Sequence, residues 1–277
     1  MIFELFEYLT TPCSAPARSL GFLSSTVQVR ARYRRCKRAW SPHIEQTRCA
    51  ILEAVSRCSK RRKVVVLGAG LLYDIPLAEL SRSFLKVVLV DIVHPWSSRL
   101  AVRRFGNVEQ ICADVTEVMD QLRQIASHSG GLLPVSRPVR FVDDPELDLT
   151  LSVNLLSQLP HVPGRYLEKR RDEASIDAFS SHLIEAHLDY LRRLPGHTTL
   201  ITDVAVRRRA RDSSFLEEWD ALCGVKLPAA ESSWEWSLAP SPEVERGADI
   251  STIVVAHVDW KKAVCRTDVS QSGRYLC

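Results

Sequence analysis

Two short β-branched runs with one helical stretch between them constrain this chain more than any bulk property. "KVVVLG" (63–68) and "KVVLVDI" (86–92) are apolar at successive positions rather than at every second one, the composition of strands covered on both faces. Between them "DIPLAELSRSF" (74–84) reads as a helix, with Asp74 near its start as an N-cap. Strand, helix, strand in that order gives a right-handed βαβ unit and a parallel sheet.

The alternation continues. "PWSSRLAVRRF" (95–105) is a second helix, "NVEQICADV" (107–115) a third strand and "TEVMDQLRQIAS" (116–127) a third helix. "GGLLPVSRPVRFVDDPE" (130–146) is loop-like, with a short strand at "VRFV". "LDLTLSVNLLSQLP" (147–160) holds a fourth strand and its exit loop. "ASIDAFSSHLIEAHLDYLRRLPG" (174–196) is a long helix ended by Pro195 and Gly196, "HTTLITDVAV" (197–206) a fifth strand and "SSFLEEWDALCG" (213–224) a helix. "SWEWSLAP" (233–240) and "ISTIVVAHVDW" (250–260) then follow one another with no helix between them, so they form an antiparallel hairpin at one sheet edge.

The first 62 residues differ in texture. "IFELFEYL" (2–9) is a short amphipathic segment, and "RARYRRCKR" (30–38) is strongly basic. "SPHIEQTRCAILEAVSRC" (41–58) reads as a helix with Ser41 as N-cap and Pro42 as its first residue. The expected organisation is an N-terminal helical extension over 1–62, an α/β domain over 63–262 and a tail over 263–277. The expected fold is a three-layer α/β sheet, mostly parallel, with a C-terminal antiparallel hairpin.

In an open parallel sheet, ligands sit beyond the carboxyl ends of the strands, where glycines let the backbone approach closely. Gly68 and Gly70 suit that position, and Asp91, at the end of the second strand, is placed to accept hydrogen bonds from ribose hydroxyls. The dinucleotide fingerprint would require a third glycine where this chain has Tyr73, which disfavours a nicotinamide dinucleotide.

Over residues 41–260 the sequence resembles the class I S-adenosylmethionine-dependent methyltransferases, which have a Rossmann-like fold. "VVVLGAG" resembles the family's glycine turn, "LVDI" its ribose-binding acid and "ICADV" its adenine-binding segment. "LDLTLSVNLLSQLP" is similar to the strand that ends near the reactive methyl, and the terminal hairpin resembles the family's inserted antiparallel strand. The resemblance implies S-adenosyl-L-methionine as cofactor. Its implied contacts are Gly68, Ala69, Gly70, Asp91, Ile92, Asp114, Val115, Asn154 and Leu155. The family usually carries an acid where this chain has Val66 and often a third glycine where it has Leu72. Asp74 either substitutes for that acid at the cofactor's ammonium or simply caps its helix.

Methyl transfer needs alignment and exclusion of water more than a particular catalytic group. His161 and Tyr166, with Arg165 between them, lie after the fourth strand; His161 is the candidate base and Tyr166 a candidate contact to the acceptor. His94 shapes the turn before the second helix. Trp234 and Trp236 share one side of a strand, either as packing or as an aromatic wall for a substrate. The fourth strand lacks the Asn-Pro-Pro-aromatic sequence that would suggest methylation of a base nitrogen or a glutamine amide; "VNLLSQLP" resembles small-molecule methyltransferases instead, which implies a small-molecule acceptor.

A formal charge of +4 gives no whole-chain argument for nucleic acid. The basic runs at 30–38 and 206–211 ("VRRRAR") keep that partner open without favouring it. Eight scattered cysteines with no C-x-x-C pair argue against a zinc site and a disulfide framework, and Cys112 reads as a core residue. There is no long apolar span, and Glu4 and Glu7 oppose a signal peptide, so the expected location is cytoplasmic. The extension over 1–62 is expected to cover the cofactor cleft. The alternatives to a methyltransferase are a non-catalytic binding or scaffold protein on the same fold, favoured by Val66 and Leu72, and an NAD(P)-dependent oxidoreductase.

Overall fold

The computed structural model of the chain describes residues 2–125, 132–210, 212 and 214–265. Five strands run parallel: β1 (Lys63–Leu67), β2 (Lys86–Asp91), β3 (Val108–Cys112), β4 (Leu147–Val153) and the first part of β5 (His197–Ala210). Three more are β6 (Phe215–Asp220), β7 (Ser232–Ala239) and β8 (Ala248–His257). The eight-stranded sheet has the order β3-β2-β1-β4-β5-β8-β7, with β6 paired to β5 off this path. β8 lies antiparallel to β5 and β7 antiparallel to β8, as the hairpin reading requires.

The central strands are covered on both faces. Val64 and Val66 of β1 pack with Leu80, Leu89 and Leu151 under one helical layer, while Val65 and Leu67 pack with Ile184, Tyr190 and Leu191 under the other. The first layer contains α3 (Phe22–Arg57) and α4 (Leu77–Ser83), with Val102 of α5 (Trp96–Val102) in the same core; α8 (Glu173–Arg193) forms the second. The remaining helices are α1 (Ile2–Thr10), α2 (Ala15–Leu20), α6 (Met119–Ile125) and α7 (His161–Leu167). Together these make a three-layer α/β fold of Rossmann-like order. No described helix is long and apolar enough to cross a membrane.

Several local expectations are corrected. Ser41 and Pro42 do not open a helix; both lie inside α3, which takes in the basic run as well. Pro42 has no N–H for the Arg38 carbonyl and its ring crowds that turn. Cys36 departs from helical geometry at φ −102° and ψ 16°, and the helix kinks there. Asp74 is not an N-cap: α4 begins at Leu77, after Pro76. "VRFV" (139–142) forms a turn, with Phe141 at φ 65°, and "HVPGRYL" is helical. Cys112 is exposed.

The largest error of type falls in "SSFLEEWDALCG", where Phe215–Asp220 is strand β6 rather than part of a helix. Leu216, Trp219 and Leu222 share a helical spacing, but tertiary pairing decides. Arg207 and Arg208 of the extended β5 stand opposite Glu218 and Glu217, and Arg207 Nε lies 2.5 Å from Glu218 Oε2. The expected tail falls largely outside the described residues; of it, residues 263–265 are helical.

Candidate functional site

The sheet's carboxyl end opens into a cavity of about 420 Å³. One wall is the loop after β1, the ends of β2 and β4 and the segment after β3. The opposite wall is α3, with Phe22, Val29, Arg32, Trp40 and His43, joined by Trp236 and Leu238 of β7. α7 closes a third side with His161, Val162 and Arg165. Among the described residues no group of His, Cys, Asp and Glu is arranged to hold a metal.

The loop after β1 has no room for side chains at its two glycines. Gly68 sits at φ +86°, and a Cβ there would lie 2.7 Å from the Val153 carbonyl oxygen. A Cβ on Gly70 would lie 2.9 Å from Asp91 Oδ2 and 3.0 Å from Val93 O. Gly70 N–H instead donates to Asp91 Oδ2 at 2.8 Å, and Val93 N–H donates to Asp91 Oδ1 at 3.2 Å. Those two bonds aim the half-buried Asp91 carboxyl at the cavity; desolvation raises its pKa, opposed by neighbouring His94. Leu72 takes the left-handed conformation, φ 61°, that glycine would occupy without strain. Tyr73 stacks on Tyr33 of α3, centroids 3.6 Å apart, and fastens the loop to the helix.

Of the residues expected at the site, Gly68, Gly70, Asp74, Asp91, Ile92, Asp114, Val115, Asn154, Leu155 and His161 all line the cavity. Ala69 does not; it is fully buried in the core beneath the loop. Tyr166 faces the packing around Val118 and Phe179, with the Arg170 guanidinium 4.1 Å from its ring centroid. Asp114 is already committed: Oδ1 accepts from Thr116 N–H and Oγ1, and Oδ2 from Val118 and Met119 N–H at the start of α6. A carboxylate offers about four acceptor sites, so the structure fills them all. His94 is buried, between Ile111 O at 3.1 Å and Gln110 Nε2 at 3.2 Å, where it shapes the turn.

The structure adds His43, Trp40 and Asp203, which the sequence did not single out. His43 is 2% exposed and stacks on Trp236, 3.9 Å between centroids and 7° between planes. Burial pushes its pKa down to about 3, so it is neutral. Trp40 meets Trp236 edge-on at 4.8 Å and donates Nε1–H to Leu238 O at 2.9 Å. The Trp236 indole N–H is buried without a protein partner. Asp203 stands on β5 beside a register irregularity between Asp203 and Ala205, a device that re-aims side chains. Ser157 Oγ donates to its Oδ1 at 2.5 Å. His161 sits on the rim, where desolvation pushes its pKa down, with the Arg165 charge acting in the same direction and the Asp203 carboxylate opposing both.

The basic runs are tied to acids of the chain. Arg35 grips Glu243 with Nε at 2.8 Å and Nη2 at 2.5 Å, Arg30 pairs with Glu7, and Arg208 holds Glu245 at 2.6 Å.

No protein-family profile matches the chain, and no curated protein matches it. Solved structures similar to it include a DhpI–SAM–HEP complex, 15% identical over 87% of this chain and 99% of that one, TM-score 0.37. Another is the 1,6-didemethyltoxoflavin-N1-methyltransferase of Burkholderia thailandensis, 16% identical over 90% and 92%, TM-score 0.39. A third is the N-methyltransferase NodS of Bradyrhizobium japonicum, 10% identical over 77% and 86%, TM-score 0.36. Likeness at these scores carries no functional weight.

Proposed function

We propose that the chain binds S-adenosylmethionine in this cavity and transfers its methyl group to a small, largely apolar or aromatic acceptor. The glycine turn carries the reading. With no space for Cβ at either position, backbone rather than side chain faces the cavity, at the end of the sheet where such ligands bind. When bound, the cofactor would supply an electrophilic methyl carried on a sulfonium.

The residues present fit that group. Each Asp91 oxygen accepts one backbone N–H and keeps a lone pair for a ribose hydroxyl. Ile92 and Val115 offer apolar contact to a flat base. Asp74 and Asn154 supply the polar corner that Val66, fully buried in the core, does not. The aromatic wall of Trp40, His43 and Trp236 suits a planar acceptor. Asp203 and His161 form the polar rim where an acceptor's proton would leave.

A nicotinamide dinucleotide fits less well. Residues 71–76 after Gly70 are not helical, so no helix N-terminus stands at the turn to meet a pyrophosphate. A second reading, a non-catalytic binding or scaffold protein on this fold, is favoured by one observation: the Asp114 carboxylate is fully engaged at α6 and has no acceptor site left for an adenine amino group.

Turnover of methyl-labelled S-adenosylmethionine against a panel of small phenols, amines and carboxylic acids tests the reading. With an accepted substrate, D203N should lower kcat by about 10²-fold, within the range for general acid–base groups, and leave cofactor affinity unchanged. Cofactor binding with no turnover across the panel would favour the non-catalytic reading.

A further inference from the structure

Four groups stand in line beside the cavity: Trp234 on β7, His43 on α3, Asn154 after β4 and Asp74 before α4. Trp234 Nε1 is 3.1 Å from His43 Nδ1. His43 Nε2 is 3.2 Å from one terminal atom of the Asn154 amide, and that same atom is 2.7 Å from Asp74 Oδ2.

Donor counting fixes the protons. An indole nitrogen only donates, so His43 Nδ1 must present its lone pair. The ring is neutral, so its single proton sits on Nε2 and points at the amide. The atom facing it must then be the amide oxygen. Two oxygens 2.7 Å apart form a hydrogen bond only if one carries a proton, and 2.7 Å is the usual O–H···O length. With nitrogen in the shared position, an amide N–H would face the imidazole N–H. The amide's far atom has no protein partner in either orientation, so the shared position decides.

We propose that the Trp234–His43–Asn154 relay holds Asp74 as a neutral acid in the unliganded protein, and that a ligand's ammonium enters this corner by displacing the Asp74 proton. The second half rests on the cofactor reading above. The proton passes from Asp74 to solvent while the ammonium keeps its own three, leaving the carboxylate and the amide oxygen as its two acceptors. Desolvation of Asp74 works in the same direction, opposed by the residue's own backbone N–H, which donates to the carboxyl. The charged group facing it from α3 is Arg48, which opposes protonation and whose Nη2 donates to Tyr73 O at 2.7 Å. The other ionisable groups of the cavity are Arg32, Tyr73, Asp91, Asp114, His161, Arg165 and Asp203. His43, Asn154 and Trp234 are positioning residues that act through Asp74.

The test is calorimetry at neutral pH in two buffers of different ionisation enthalpy. The two ligands are S-adenosylhomocysteine, which carries the ammonium, and 5′-methylthioadenosine, which lacks the amino-acid portion. The first should release about one proton, and its affinity should rise about tenfold for each unit increase in pH up to the Asp74 titration; the second should release none. Trp234→Phe frees His43 Nδ1 to take the proton, so Nε2 can accept from the amide NH2 and the carboxylate can ionise. Its proton release should fall towards zero with 5′-methylthioadenosine affinity unchanged. Equal release by both ligands, or unchanged release in W234F, overturns the proposal. The infrared spectrum of the unliganded protein at neutral pH decides the relay without any ligand. A carboxylic-acid carbonyl band absent from D74N supports it, and no such band refutes it. If neither nucleoside binds, the cofactor reading and the ammonium step fall together, and the infrared band still decides the relay.

Discussion

Replacing Gly68 with alanine perturbs both the conformation and the space that the glycine turn depends on. At φ +86° an L-residue pays about 1–2 kcal/mol for the left-handed region. The new methyl would lie 2.7 Å from the Val153 carbonyl, a backbone atom of the neighbouring strand that cannot swing aside. Overpacking of that kind costs about 1–3 kcal/mol. The stiffer unfolded chain returns about 0.4–1 kcal/mol, so G68A should lose about 1–5 kcal/mol. For a chain of this size that is a fall in Tm of roughly 2–20 °C, about 9 °C at the middle of the range. Gly106 is the control, since its Cβ would meet nothing within 4 Å and its φ is not positive. G106A should therefore be neutral or slightly stabilised. Thermal melts of both variants, with denaturant unfolding as a second measure, decide the matter. If G68A melts with G106A, the turn is not shaped as described and its use as a ligand cradle fails with it.

The pH dependence of stability offers a second check. Asp148 is 5% exposed and accepts from Arg62 N at 2.9 Å, Nε at 3.1 Å and Nη2 at 2.5 Å, which holds its pKa below the usual carboxylate value. Its contribution is therefore complete above the ordinary Asp pKa of about 3.9 and is lost as pH falls through the lowered value. D148N should flatten the acid limb of a Tm–pH profile; an unchanged limb would contradict this. The double variant R32A/R35A tests nucleic-acid binding through the basic run. Because Arg35 is occupied by Glu243, RNA retention should stay unchanged and insensitive to salt, and a marked loss would revive that partner.

The parallel core was legible because its signals are local and redundant. Val64–Leu67 and Val87–Val90 are β-branched or leucine throughout, glycine and proline punctuate the turns, and the terminal hairpin has no helix between its strands. β6 was not legible, because Phe215–Asp220 has weak preferences of its own and becomes a strand only where β5 offers it an edge. Pro42 misled for a related reason: as a first helical residue it is common, and its place inside α3 depends on Trp40, Ile51 and Val55 packing on the sheet. In the cavity lining, the glycines and Asp91 could be read from their places at strand ends, while Asn154 came only with the family resemblance. Asp203 had a readable signal, an acid inside the apolar run "LITDVAV". His43 had none, since its role arises where a distant helix meets Trp234, Trp236 and Asn154. Asp74 shows the limit of local rules, for cap chemistry and a cavity-lining acid look alike until Asn154 is placed beside it.

The central claim is that the glycine turn holds an S-adenosyl ligand. Calorimetric titration of the purified protein with S-adenosylmethionine and S-adenosylhomocysteine, with NADH as control, tests it most directly. The account predicts binding of the S-adenosyl pair with Kd on the order of micromolar, about −8 kcal/mol, lost in D91A, and no binding of NADH. Binding of NADH alone, or of none of the three, would contradict it.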